Sequence, residues 1–231
     1  MSPENRAQPA DETPIYLYNA ERRWTDWRQK ARELGHYRYL LRNLVVRDLK
    51  ARYKNSTLGI LWSLLNPLFL MLVFTVLFTV LANNQIRHYP IFVLVGLIPW
   101  NFFGGALTSG TISITGNSAL VKKVYFPREL LPASALLSNL VNFLFAFTVL
   151  IVFLYVFRIG LTVHALWVPA ILLTQLIFTL GLCLLLGSLT VFYGDVLMIL
   201  EVVMLAWFFL TPVFYSLEMF GDSATVLGVT F

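Results

Sequence analysis

The chain has 231 residues, of which 58% are hydrophobic and 13% charged, with 17 Lys plus Arg against 12 Asp plus Glu. About a quarter of the residues in a soluble domain are charged, so this composition excludes an ordinary soluble fold. The whole net charge of +5 lies in residues 1–54, which hold 12 basic and 7 acidic side chains, whereas residues 55–231 hold 5 of each. That basic excess stands directly before the first apolar segment, where a membrane protein keeps its cytosolic anchor, so membrane lipid rather than nucleic acid is the expected partner.

Residues 1–35, polar and carrying Pro3, Pro9 and Pro14, read as a cytosolic N-terminal tail. Over 36–57, Tyr37, Leu40, Leu41, Leu44, Val45 and Leu49 recur at helical spacing. Arg38, Arg42, Arg47 and Lys50 lie mainly on the other side. This predicts an amphipathic helix lying along the cytosolic membrane surface or packed on a soluble partner by the same face.

From Leu58 the charges thin out. Leu58–Ala82, His88–Val121, Leu130–Phe157 and Ile159–Gly194 are charge-free over 25, 34, 28 and 36 residues, and the 22 residues of Val196–Leu217 carry only Glu201. A hydrocarbon core of about 30 Å needs roughly 20 apolar residues in a helix, so five transmembrane helices are expected within 58–217. Runs such as Leu68–Leu81 are apolar on every face, and backbone groups in lipid must be satisfied within the segment, so the fold class is all-α integral membrane rather than β-barrel.

Orientation follows from the loop cations. With a cytosolic N-terminus, 15 Lys and Arg lie inside, including Lys122, Lys123 and Arg128, and only Arg87 and Arg158 lie outside. No signal peptide is read, because the first apolar run begins only after more than fifty mostly polar residues. Five spans leave the C-terminus outside, and residues 218–231 are too short to return; they read as a truncated gate region on the outer side.

Catalytic signals are lacking. There is no P-loop pattern; His36, His88 and His164 lie in separate segments, and Cys183 is the only cysteine, so no cofactor or metal is expected on this chain. Glu201 is the one acidic residue within a span, about 8 Å into its helix from Val196. It is a functional candidate or an acid near enough to the interface to reach water. Trp207, Phe208, Phe209 and Tyr215 around Pro212 fit an interfacial aromatic belt, as do Trp100, Phe102 and Phe103. A passive channel would show charge rings or polar stripes, and none is evident; a membrane transferase acting on lipid-linked sugars would cluster acids or histidines at one face, where only Asp195 and Glu201 stand.

Collinear motifs run through most of the chain: Arg47-Asp48-Leu49-Lys50-Ala51-Arg52-Tyr53-Lys54, Leu58-Gly59 with Trp62 and Pro67, and Gly96-Leu97-Ile98-Pro99-Trp100 with Phe103. They continue with Leu120 through Glu129 and Pro132, then Tyr193-Gly194-Asp195 and Thr211-Pro212-Val213-Phe214-Tyr215. Over roughly 36–217 the sequence resembles the membrane subunits of ABC-2 type exporters, in particular those exporting bacterial polysaccharides such as O-antigen, capsule or teichoic acid. The resemblance implies a multi-pass permease of the bacterial cytoplasmic membrane that does no bond chemistry, forms a homodimer, and is driven by a separate ATPase subunit holding ATP and Mg.

It further implies that the 118–131 loop is a coupling helix docking on that ATPase. Val121, Val124, Tyr125 and Phe126 would form an apolar knob, Lys122, Lys123, Arg128 and Glu129 its charged surround, and Pro127 and Pro132 would end the helix before the next span. The 36–57 helix becomes an interface helix where a lipid-linked glycan enters. Arg47, Arg52 and Lys54 then either contact its pyrophosphate or simply anchor the topology. Glu201, Trp207, Phe208, Phe209, Pro212 and Tyr215 would belong to the conduit or its outer gate. A sixth span usual in the family is missing, and related permeases that export drugs or other hydrophobic molecules remain an alternative cargo class.

Overall fold

A computed structural model describes residues 37–54, 56–81, 86, 88–160, 162–215, 225–226 and 229–230. The tail at 1–35, His36, Arg87 and most of 218–231 therefore lie outside the described residues.

The described chain is helical apart from a two-residue antiparallel pairing of β1 (Thr225–Val226) with β2 (Val229–Thr230). Helix α1 spans Arg38–Tyr53, α2 Trp62–Val76, α3 Tyr89–Thr111, α4 Ser118–Lys123, α5 Leu130–Val156, α6 Val168–Phe192 and α7 Val196–Leu210. Four segments are long and apolar enough to cross a membrane: Trp62–Thr79, Tyr89–Thr111, Leu130–Val156 and Val163–Phe192. The fifth expected span is shorter than the sequence implies. The 15 residues of α7 reach only about 22 Å at 1.5 Å per residue. Its stop is local: the ring of Pro212 pushes Thr211 out of the helical region to φ −87°, ψ 132°.

Helix α3 is the axis of the bundle. It packs against α2, α5, α6 and α7. Leu94, Ile98, Phe102 and Ala106 meet Leu136, Phe143, Ala146 and Leu150 of α5 in one buried cluster, while Phe103 and Leu107 meet Cys183 of α6 and Leu200 of α7 in another. Apolar area gains little by leaving lipid for protein, so close fit has to hold such helices together, and small residues permit it. At the α3–α6 crossing Cys183 Sγ lies 3.3 Å from the Ala106 carbonyl, and a β-carbon on Gly187 would stand 3.0 Å from the Gly110 carbonyl. Pro99 sits inside α3, and Gln175 of α6 donates to its carbonyl at 3.0 Å, joining the two helices beside the proline.

The apolar stripe of α1 faces the chain's own third span. Leu44 is buried, and Tyr37, Leu40, Leu41, Val45 and Leu49 are half-buried, with α5 as the main neighbour. Three polar contacts run along that seam: Ser134 Oγ donates to Asp48 at 3.3 Å, Arg52 donates to Asn139 Oδ1 at 3.0 Å, and Tyr53 donates to Asn142 Oδ1 at 2.6 Å.

Candidate conduit and coupling surfaces

Arg47, Arg52 and Lys54, which the resemblance offers either as pyrophosphate contacts or as topology anchors, divide between two places. Arg47 and Lys54 line one depression on α1 together with Asn43 and Lys50, positions three or four residues apart and so on one helical face. Arg47 is also paired with its neighbour Asp48 at 2.8 Å. Arg52 turns the other way, into a cavity of about 570 Å³ walled by α1, the start of α2, α3 and α5. Its guanidinium reaches Asn139 Oδ1 and, at 3.5 Å, Ser109 Oγ; Asn139 in turn donates to the Ala135 carbonyl at 2.8 Å. The guanidinium is thereby held at the rim of a space also lined by Ser63, Asn66, Asn101 and Asn142.

A second cavity, about 470 Å³, lies between α2, α3 and α7 and holds Glu201 with Leu70, Phe74, Trp100, Met204, Leu205 and Phe208. Both cavities share one wall. Asn101, Gly104, Gly105 and Thr108 line each of them, and their spacing of three, four and seven residues puts them on one face of α3. This shared face of α3 carries an amide and a hydroxyl at its two ends, with two glycines between them. None of its members is charged, and Phe102, Phe103, Ala106 and Leu107 lie between them in the chain, so hydropathy alone passes over them. A helical-wheel reading of 101–108 was the signal that could have found it.

The aromatic residues around Pro212 form one packed body. Phe214, not singled out from sequence, is its centre: its ring stacks on Phe74 at 5.4 Å and meets Phe78, Phe208, Phe209 and Tyr215 at 5.1–5.8 Å between centroids. Tyr89 donates to the Phe214 carbonyl at 2.6 Å, so the segment after α7 is tied to the start of α3. Tyr215 donates toward the Phe209 and Leu210 carbonyls at 3.2 Å each, satisfying acceptors that the end of α7 leaves open. Trp207 packs edge-on to Trp100 and Phe103. Pro212 contributes the break that lets 211–215 fold back.

The loop at 118–131 differs in form from the expected coupling helix. A 3-10 turn at Thr115–Asn117 leads into α4, which ends at Lys123, four residues before Pro127. Pro132 does not end it either; it is the third residue of α5, where a missing N–H costs no helical bond. Within the knob, Phe126 is buried and Val121 half-buried, whereas Tyr125 is 89% exposed and Val124 51% exposed. Lys122, Lys123, Arg128 and Glu129 are exposed around them.

Residues 39–225 match the family model described as ABC-2 type transporter. Among curated proteins, the chain is 40% identical over 193 residues to an O-antigen export system permease protein RfbA of Myxococcus xanthus, covering 84% of this chain and 74% of that one. It is 34% identical over 192 residues to a protein of the same name from Klebsiella pneumoniae, covering 82% and 73%. A long family match, a bundle of helices of membrane-crossing length and an exposed, cationic aromatic loop between the second and third of them agree: the chain is a multi-pass membrane protein and belongs to the ABC-2 type transporter family.

Proposed function

We propose that this chain is the membrane-spanning permease subunit of an ABC exporter that moves a lipid-linked polysaccharide or its precursor outward across the bacterial cytoplasmic membrane. The observation that carries this reading is the similarity, over more than four fifths of the chain, to proteins named O-antigen export permeases. Two copies of the permease form the conduit, and two copies of a cytosolic ATPase, holding ATP and Mg, drive it. The chain itself transports and catalyses no bond chemistry.

Coupling runs through the loop at 118–131. Tyr125 and Val124 offer apolar area that has no cover among the described residues, and Lys122, Lys123 and Arg128 give it a cationic rim suited to an acidic groove on the ATPase. Phe126 and Val121 act from behind as the buttress that ties the loop to the bundle, so a push on Tyr125 reaches α5. On the cargo side, Arg52 at the mouth of its cavity suits a phosphate bidentately, while Arg47 and Lys54, with Lys50, attract anionic headgroups to the outer face of α1. The packed aromatic body of Trp207, Phe208, Phe209 and Tyr215 at the Pro212 break is the closed outer gate, and Glu201 lies on the path leading to it.

The test combines a crosslink with a transport assay. A cysteine at Tyr125 bonds to the ATPase in assembled exporter, and a lipid-linked glycan reaches the outer surface only when both subunits are present. A Tyr125 cysteine that never reaches the ATPase sinks the docking assignment. A working complex that moves no glycan sinks the cargo assignment.

A further inference from the structure

Asn66 of α2, Asn101 of α3 and Glu201 of the shorter apolar helix α7 stand exposed without a hydrogen-bond partner among the described residues. Each would be costly against hydrocarbon, and the acid most of all. They are not scattered. Asn66 and Asn101 line the cavity below Arg52, and Asn101 and Glu201 line the groove between α2, α3 and α7, so Asn101 belongs to both. The rest of the shared wall, Gly104, Gly105 and Thr108, puts almost no side-chain bulk in the way.

We infer that Asn66, Asn101 and Glu201 mark one hydrated path across α3, and that Glu201 makes it selective for neutral, hydroxyl-rich glycan over polyanionic glycan. The inference rests on the permease reading above and narrows its cargo. A carboxylate only accepts hydrogen bonds, and its two oxygens match the two O–H groups of a sugar diol; Asn101 donates and accepts beside it. The faces of Trp100 and Phe208 in the same groove suit the apolar C–H side of a sugar ring. A phosphate- or carboxylate-bearing repeat meets a like charge there instead, at close range within a narrow groove. No cation among the lining residues of this groove offsets it.

The experiment uses the whole exporter, permease with its ATPase, in membranes. Single cysteines replace Asn101, Glu201 and, as a lipid-facing control outside the groove, Ile199, which is 62% exposed. A water-soluble methanethiosulfonate reagent labels the first two at least about tenfold faster than the third, because the thiolate that reacts needs water. Equal rates overturn the hydrated path while leaving export itself, measured in parallel on the unsubstituted complex, to stand or fall separately. For selectivity, Glu201→Gln slows export of a neutral lipid-linked glycan several-fold and leaves a polyanionic one unslowed or faster. Equal slowing of both overturns the charge filter. Should Glu201→Gln fail to assemble, Asn101→Cys supplies the same contrast: neutral glycan protects it from labelling and polyanionic glycan does not, and the reverse overturns the proposal.

Discussion

Gly110 of α3 has room for a hydrogen and little else. A β-carbon there would stand 2.6 Å from Cys183 Sγ and 2.8 Å from Cys183 Cβ, both closer than carbon and sulfur approach in a packed protein. Because both atoms belong to one buried side chain of α6, the strain has one removable cause. Gly110→Ala is expected to lower the stability of the detergent-purified permease by about 1–3 kcal/mol, the usual cost of forcing extra bulk into a filled interior. Cys183→Gly in the same chain should return most of that loss, measured by thermal unfolding of the four proteins in the cycle; simple addition of the two single effects would show that the residues do not share the contact. Gly96 presents the same situation nearer the start of α3, where a β-carbon would lie 2.9 Å from the Val213 carbonyl and lift the 211–215 segment from α3. Each glycine is plain in the sequence, but the residue opposite lies 73 or 117 positions away, and only folding names it.

At the scale of elements, the seam between α1 and α5 joins an amphipathic helix to a span by side-chain hydrogen bonds. Tyr53 and Asn142 are paired at 2.6 Å, the shortest of the three, and the bond is half-buried. Tyr53→Phe removes the hydroxyl and leaves the ring, at a cost near 1 kcal/mol for the bond and more for the unpaired amide. Hydrogen exchange of the α1 amides should then rise several-fold while the core amides of α3 stay protected; unchanged α1 exchange would mean that its apolar stripe alone holds it. The helix was legible because its apolar residues recur every three or four positions and its cations fall mainly on the other side. The seam was not, since Asn139 and Asn142 are two amides in a 28-residue charge-free run and nothing local ties them to positions 87 and 89 residues earlier. The 118–131 loop shows the same division: its cations follow from composition, but which of the adjacent rings Tyr125 and Phe126 is exposed and which is buried is decided only by the packing of the loop on the bundle.

For the whole molecule, charge-free length set the four long spans, since lipid leaves a helix no choice but to bond its own backbone. It misjudged α7, where one proline outweighs an apolar run that continues to Leu217. That short helix bears on how many copies make a conduit. On α7 only Leu200 is buried, with Met204 and Phe208 half-buried beside it, while Val202, Val203, Leu205 and Leu210 are open. The groove holding Glu201 therefore has α2, α3 and α7 as walls and nothing across from them among the described residues. Hydrocarbon on that open side would face an acid and an amide without partners, a cost that a second copy related by a twofold axis removes by setting the same groove opposite. The permease isolated with its ATPase in mild detergent should accordingly contain two permease chains for two ATPase chains by native mass spectrometry, and weakening the pair should expose the Glu201 groove to lipid and halt export. A transport-competent complex with a single permease chain would leave the groove walled by lipid, and both the twofold conduit and the closure of the path around Glu201 would have to be given up.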